Sequence, residues 1–493
     1  MAIAPDTAPS VQSEYHTGMG RNRRLSVIHS KQPLTARQAA WFALADGRNG
    51  RPTARDVLDR LVAEDRLAPE RRAAANELVL GVLRHRLTLS HLLGLWVAGS
   101  WQRVDAPLRP VLLLGAYELI YLDGVPAFAA VNESVELAKA VVSHAGGHFV
   151  NALLRRLQRE IEHHRIVAAD ADVVRAIPID PQRSCQFRAP ILPDPARHPV
   201  DHLALATSHP GELVAGWVSA LGLPTAQRIG LAGLARPPVV LRPNRMRIDA
   251  SALVDRLATE GFHGVADAEG RAVDVPQASS LFASTAYHEG LFQPQDRTAM
   301  AVVEAMDPRP GQIVVDLCAG LGTKTTQLAE RMNDEGVVVA CDKEKWRLEK
   351  IRGNAERLKL RSVRVAGLDH LDATLADLDS IDWILVDAPC SNTGVLARRP
   401  EARYRFSRAG LKQLQAIQIE LLEQAAERSR PETRLGYSTC SLEPEENEEV
   451  TALFARRRPQ WRLLDARRVL PSGDVGPGLW HDGGYLALWA PDK

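Results

Sequence analysis

At 493 residues the chain is too long for one ordinary hydrophobic core, so two or three domains are expected. Its 61 Lys and Arg face 60 Asp and Glu, and a net charge of +1 means that any nucleic-acid surface must be local. The five cysteines (Cys185, Cys318, Cys341, Cys390, Cys440) form no CxxC pair and no zinc-like spacing, which argues against disulfides and a structural metal and suits reduced thiols.

Residues 1–30 hold Pro, Ser, Asp and the run Arg21 to Arg24, with no apolar stretch of signal-peptide or membrane-spanning length. They read as a disordered tail of a cytoplasmic protein with no membrane partner. Residues 31–165 follow as an all-α domain: apolar residues recur at helical intervals, as at Val57, Leu58, Leu61 and Val62, and no strand alternation interrupts them. Residues 166–200 carry several prolines, among them Pro178, Pro181, Pro190, Pro193 and Pro195, with little periodicity, as expected of a linker. Residues 201–285 suggest a small α/β subdomain. From residue 286 onward strand, glycine turn and helix alternate: Ile313–Leu317, Val337–Asp342, Val363–Gly367, Trp383–Asp387 and Arg434–Thr439 read as strands of a parallel, doubly wound sheet.

Chemistry concentrates at the ends of those strands. The turn DLCAGLGTKT, Asp316 to Thr325, opens a helix, so its N–H groups and Gly320 and Gly322 can admit a cofactor near the main chain, although a plain strand–helix turn explains the glycines equally well. Asp342 ends the second strand, where a carboxylate can accept both hydroxyls of a ribose or simply face water. Asp369 and Asp387 follow the third and fourth strands, and together the three favour a nucleoside-containing cofactor. Cys390 in DAPCSNTG and Cys440 in YSTCSLEPEEN each lie just past a strand end, 50 residues apart. Nearby cations or a helix N-terminus can lower a thiol's pKa, and a helix is expected to start near Pro444. Between them, Arg398, Arg399, Arg403, Arg405 and Arg408 interleave with Tyr404 and Phe406, a pattern that can neutralise phosphates and stack on unpaired bases.

These residues resemble the RNA (cytosine-5) methyltransferases of the RsmB/Sun type, whose pattern is approximately DLCAAPGGKT, DAPCSGTG and YSTCSxxPEEN. Val125 to Lys139 with Phe149 to Arg156 is similar to the NusB-type RNA-binding helical domain fused to these enzymes, and Ser208 to Pro210, Leu241 to Asn244 and Gln293 to Asp296 resemble the segment leading into the catalytic domain. The resemblance implies a NusB-like bundle, an α/β RNA-binding subdomain and a Rossmann-like catalytic domain. It implies S-adenosylmethionine held by Cys318, Ala319, Gly320, Leu321, Gly322, Thr323 and Lys324, with Asp342 at the ribose, Asp369 near the adenine and Asp387 in the active site. It makes Cys440 the nucleophile and Cys390 the second cysteine, acting on 16S rRNA, with Arg398, Arg399, Arg403, Tyr404 and Arg405 as RNA contacts. A monomer is expected. The same residues on tRNA or another rRNA site, or a catalytically impaired ribosome-assembly factor, are the alternatives.

The chain departs from the pattern at three places, one of them Glu432 and Thr433 in place of the Gly-Gly turn before the sixth motif, a reshaped surface loop. Gly320, Leu321, Gly322 and Thr323 replace Ala-Pro-Gly-Gly, and if the last glycine takes φ > 0, Thr323 carries strain of about 1 kcal/mol or more. Asn392 replaces a glycine, a milder change because Asn tolerates the left-handed region.

Overall fold

The computed structural model describes residues 33–46, 53–276 and 280–492; the expected tail at 1–30 lies outside them. The N-terminal part is helical: α1 (Ala36–Asp46), α2 (Ala54–Ala63), α3 (Pro69–Gly94), α4 (Leu108–Tyr121), α5 (Ala127–Val141) and α6 (His144–Glu160). Thr53 and Asp56 form a reciprocal capping box at the start of α2, satisfying N–H groups that have no partner inside the helix. Helix α4 is apolar around nearly its whole circumference and buried accordingly, so it is the axis of this core.

The expected linker is not a free connection. Strands β1 (Ile161–Val167), β2 (Ala176–Pro178) and β3 (Arg183–Phe187) form an antiparallel sheet in the order β1-β3-β2. Ile177, Cys185, Phe187, Ile191 and Leu192 insert into the helical core. Proline spacing misled here because Pro178 ends a three-residue strand and the other prolines flank the strands.

The region expected as one α/β subdomain divides in two. Helices α7 (Pro199–Thr207), α8 (Gly211–Leu221) and α9 (Leu223–Ala232) pack through Leu203, Val214, Trp217 and Ile229 on Leu396, Ala402 and Leu442, which flank the two cysteine loops. A separate antiparallel sheet, β5-β6-β4-β7, joins β4 (Val239–Pro243), β5 (Val265–Ala266), β6 (Val273–Val275) and β7 (Phe292–Pro294), backed by α10 (Ala250–Ala258). Its last strand lies beyond residue 285, because Gln293 pairs with Arg242 of β4.

The C-terminal domain is built on a seven-stranded sheet in the order β10-β9-β8-β11-β12-β14-β13. Strands β8 (Ile313–Asp316), β9 (Val337–Asp342), β10 (Val363–Gly367), β11 (Trp383–Asp387) and β12 (Arg434–Thr439) are parallel, whereas β13 (Trp461–Val469) and β14 (Gly484–Pro491) form an antiparallel hairpin on β12. The sheet is therefore mixed rather than wholly parallel. The short α11 (Thr285–His288) and α12 (Arg297–Met306) lead into it, and α13 (Thr323–Arg331), α14 (Lys345–Leu358), α15 (Leu371–Ala376), α16 (Arg408–Arg428) and α17 (Glu448–Arg457) cover its faces. Strand order reverses between β8 and β11, the switch point outside which ligands of open α/β sheets bind.

Candidate active site

Strands β11 and β12 run side by side with Asp387 in register with Ser438, so the loops that leave them emerge together. Cys390, three residues past β11, and Cys440, one past β12, bring their sulfurs to 3.3 Å. Hydrogen bonding from Cys390 lowers the Cys440 pKa; burial and Asp387 oppose this, while Arg399 and Lys324 assist it. The same hydrogen bond, with burial, pushes the Cys390 thiol well above its ordinary value. The pair thus divides into a sulfur disposed to ionise and one that keeps its proton. The expected helix N-terminus is displaced: one 3-10 turn fills Pro444–Glu446 and α17 begins at Glu448, leaving the neighbouring thiol and two cations to act on Cys440.

Both loops are pinned by a residue that sequence reasoning passed over. Glu446 is fully buried; its Oε1 accepts the Ser391 N–H at 2.9 Å and Gln418 Nε2 at 3.0 Å, and its Oε2 accepts the hydroxyls of Ser391 and Ser441. The repeated Cys-Ser at 390–391 and 440–441, followed by the glutamates of PEEN, was the available signal. Asn392 spans the same gap, bonded to Cys390 O and within reach of Cys440 Sγ.

Asp387 Oδ2 pairs with Lys324 Nζ at 2.7 Å, and its Oδ1 accepts the Ser438 hydroxyl at 2.6 Å. Burial alone would depress the Lys324 pKa, yet Asp387, Cys440 and Asp316 raise it, so the ammonium stays charged beside the thiols. The turn joining β8 to α13 thereby reaches the cysteine site.

Asp342 Oδ2 accepts the Gly320 N–H at 3.0 Å and its Oδ1 accepts the Glu344 N–H at 2.9 Å, with Arg347 Nη1 3.2 Å away. Its carboxylate is therefore fixed at the rim of the turn. Asp369 lies exposed in the 3-10 turn after β10, two residues past Gly367, the register partner of Asp342. The left-handed backbone of the turn falls on Gly320 (φ 58°) and Gly322 (φ 80°); Thr323 begins α13 and is not among the positive-φ residues. The expected strain at Thr323 is absent, because the two remaining glycines take the positions that need φ > 0. The left-handed conformation at Asn392 (φ 63°) does occur.

These features suit a cofactor that approaches the main chain closely. No atom lies within 4 Å of where a Cβ on Gly320 would stand. Asp316 is buried and its Oδ2 accepts the Thr325 hydroxyl at 2.7 Å, while its Oδ1 has no side-chain partner. Burial lifts its pKa to about 7. Cys318 and Lys324 are partly exposed, Leu321 is exposed and Ala319 buried, so the stretch lines an edge rather than a closed chamber.

Of the five residues expected to meet RNA, three are committed elsewhere. Arg398 pairs with Asp482 (2.7 Å) and Asp296 (3.1 Å). Arg403 is wholly buried and donates to the carbonyls of Arg84, Ser208 and Gly233. Tyr404 donates to Leu83 O, with the Arg86 guanidinium over its ring. The segment is the seam between the N-terminal domain and the catalytic loops, where main-chain carbonyls need donors. Only Arg399 and Arg405 remain exposed among the five.

The profile of the NusB family matches residues 34–159, and that of the 16S rRNA methyltransferase RsmB/F matches residues 303–474. A probable ribosomal RNA small subunit methyltransferase B of Bacillus subtilis (strain 168) is 31% identical over 419 residues, 84% of this chain and 87% of its own. Its counterpart in Synechocystis sp. is 30% identical over 451 residues, 90% and 94% of the two chains. The crystal structure of PH0851 shares the fold, with a TM-score of 0.70 at 20% identity over 92% of this chain and 98% of that one. A methyltransferase homolog protein from Pyrococcus horikoshii matches at 28% identity and a TM-score of 0.50, over 59% of this chain and 99% of that one. With similarity spanning both the helical domain and the catalytic sheet, the chain belongs to the RsmB family of S-adenosylmethionine-dependent RNA methyltransferases.

Proposed function

We propose that this protein methylates carbon 5 of a cytosine in 16S rRNA through a covalent adduct with Cys440. The observation that supports this reading most is the pairing of two thiols, 3.3 Å apart, with opposite displacements of their pKa values. Carbon 5 of cytosine is a poor nucleophile. Addition of the Cys440 thiolate to carbon 6 forms a C–S bond and drives ring electrons toward carbon 5, while ring nitrogen 3 takes up a proton. Asp387, held by Lys324 and Ser438, can accept a hydrogen bond from that protonated nitrogen. S-adenosylmethionine, when bound, would supply an electrophilic methyl group, and Cys318 to Lys324 with the rim carboxylates Asp342 and Asp369 would hold it.

The methylated adduct then loses its carbon-5 proton to water, the C6–S bond breaks with its electron pair returning to Cys440, and ring nitrogen 3 gives back to solvent the proton it took up, leaving the neutral base. Cys390, keeping its proton, can donate to the departing sulfur and so assist release. The target base must be unpaired or flipped for either sulfur to reach it.

Transfer of labelled methyl from S-adenosylmethionine into 16S rRNA tests the reading. Wild-type protein should label the RNA and Cys440→Ser should not, and bisulfite sequencing of RNA from cells with and without the gene should locate one protected cytosine. Labelling at adenine or guanine, or full activity of Cys440→Ser, would overturn it.

A further inference from the structure

Asn392 stands where the family pattern has glycine, in the left-handed backbone (φ 63°, ψ 26°) that glycine would adopt. What it adds is a side chain between the two cysteine loops. Its Nδ2 donates to the carbonyl of Cys390 at 2.7 Å, which fixes the sense of the amide, since only the nitrogen can face a carbonyl. Its Oδ1 is thereby turned toward Cys440, whose S–H it accepts at 3.3 Å, and toward Arg399 Nη1 at 3.4 Å.

We propose that Asn392 is a positioning residue that aims the Cys440 thiol and tempers its ionisation, so that a side chain absent from the family pattern sets how readily the nucleophile ionises. The inference rests on Cys440 being the nucleophile. An amide oxygen can accept from S–H but has nothing to donate to S⁻, so its contact favours the protonated form. The groups facing Cys440 otherwise divide: the Cys390 thiol, Arg399 and Lys324 favour the thiolate, whereas burial and Asp387 oppose it. Asn392 adds to the opposing side twice, by accepting the thiol proton and by engaging the Arg399 guanidinium that would otherwise serve the thiolate alone. Its link to the Cys390 carbonyl also couples the two loops, so orientation and ionisation of the nucleophile share one amide.

The test is the pH dependence of Cys440 alkylation by iodoacetamide in the full-length protein without RNA or cofactor, read on the Cys440 peptide by mass spectrometry. Asn392→Gly, which suits the backbone, should lower the alkylation midpoint by about half a pH unit, roughly a threefold gain in thiolate at neutral pH. Asn392→Asp, which also tolerates the left-handed region, should raise the midpoint by placing a carboxylate at the sulfur. Midpoints unchanged in both variants, or lowered in both, would overturn the proposal, the second because it would report only a loosened loop. This readout involves no methyl transfer. The catalytic reading fails separately, through an active Cys440→Ser variant, whatever the alkylation profile shows.

Discussion

Arg403 Nη1 donates to the main-chain carbonyl of Arg84 at 2.9 Å, tying the loop that follows Cys390 to the long helix α3 of the N-terminal domain. The same guanidinium reaches Ser208 O at 2.8 Å and Gly233 O at 3.0 Å, the cap residues closing α7 and α9. A cation at two helix C-termini is favourable, and it satisfies carbonyls that those ends leave open. Arg403→Met should destabilise by about 3 kcal/mol or more, because buried carbonyls lose charged donors. Urea unfolding checks this; a loss below about 1 kcal/mol would mean the seam is held otherwise.

The exposed arginines should behave differently. Arg405→Ala is expected to leave the urea midpoint unchanged while reducing the slope of log RNA affinity against log salt by about 0.7, the share of one single-strand phosphate contact. Filter binding at several salt concentrations measures it, and an unaltered slope removes Arg405 from the RNA surface.

Glu443 accepts Trp217 Nε1 at 3.0 Å between the Cys440 loop and α8, and burial lifts its pKa from 4.5 to about 7. Between those two pH values the folded chain keeps a proton that the unfolded chain has released, so the contribution of this group to stability falls as pH rises from 4.5 to about 7. Glu443→Gln retains the acceptor for Trp217 without titrating. Its unfolding midpoint should decline less across that window than the wild type, a difference of up to about 1.4 kcal/mol per pH unit. Parallel curves would contradict the assignment.

Arg242 on β4 meets Glu330 on α13 through two contacts, at 2.8 and 3.0 Å, both partners being buried, and also donates to Thr323 O at 3.0 Å. It thereby docks the middle sheet on the helix that leaves the glycine turn. Arg242→Leu strands a buried carboxylate and should cost about 3–5 kcal/mol, with weaker S-adenosylmethionine binding by calorimetry. Arg242→Leu combined with Glu330→Leu should recover much of the stability, and failure to recover would exclude the stranded charge as the cause.

The sequence exposes the catalytic centre because strands and turns carry local signals. Apolar runs ending at Asp342, Asp387 and Thr439 placed those ends on one sheet edge, and five strands lie where the pattern puts them, to within a residue. The antiparallel hairpin Trp461–Val469 and Gly484–Pro491 was missed, since β13 carries the arginines Arg462, Arg467 and Arg468 and has a mostly exposed surface. The roles of Arg398 and Arg403 were unreadable for another reason. Their partners, Asp482, Arg84 and Ser208, lie about 80 to 320 residues away, and nothing local separates an arginine that satisfies distant groups from one that waits for phosphate. Glu446 escaped notice in the same way, its value set in part by Ser391 on the other cysteine loop.

The most direct test of the account is trapping on RNA. Incubated with 16S rRNA and S-adenosylmethionine, Cys390→Ala should accumulate a protein–RNA species that survives denaturing electrophoresis, because release of Cys440 is slowed, whereas Cys440→Ala should form none. Equal behaviour of the two variants, or an adduct with Cys440→Ala, would contradict the assignment of the two sulfurs.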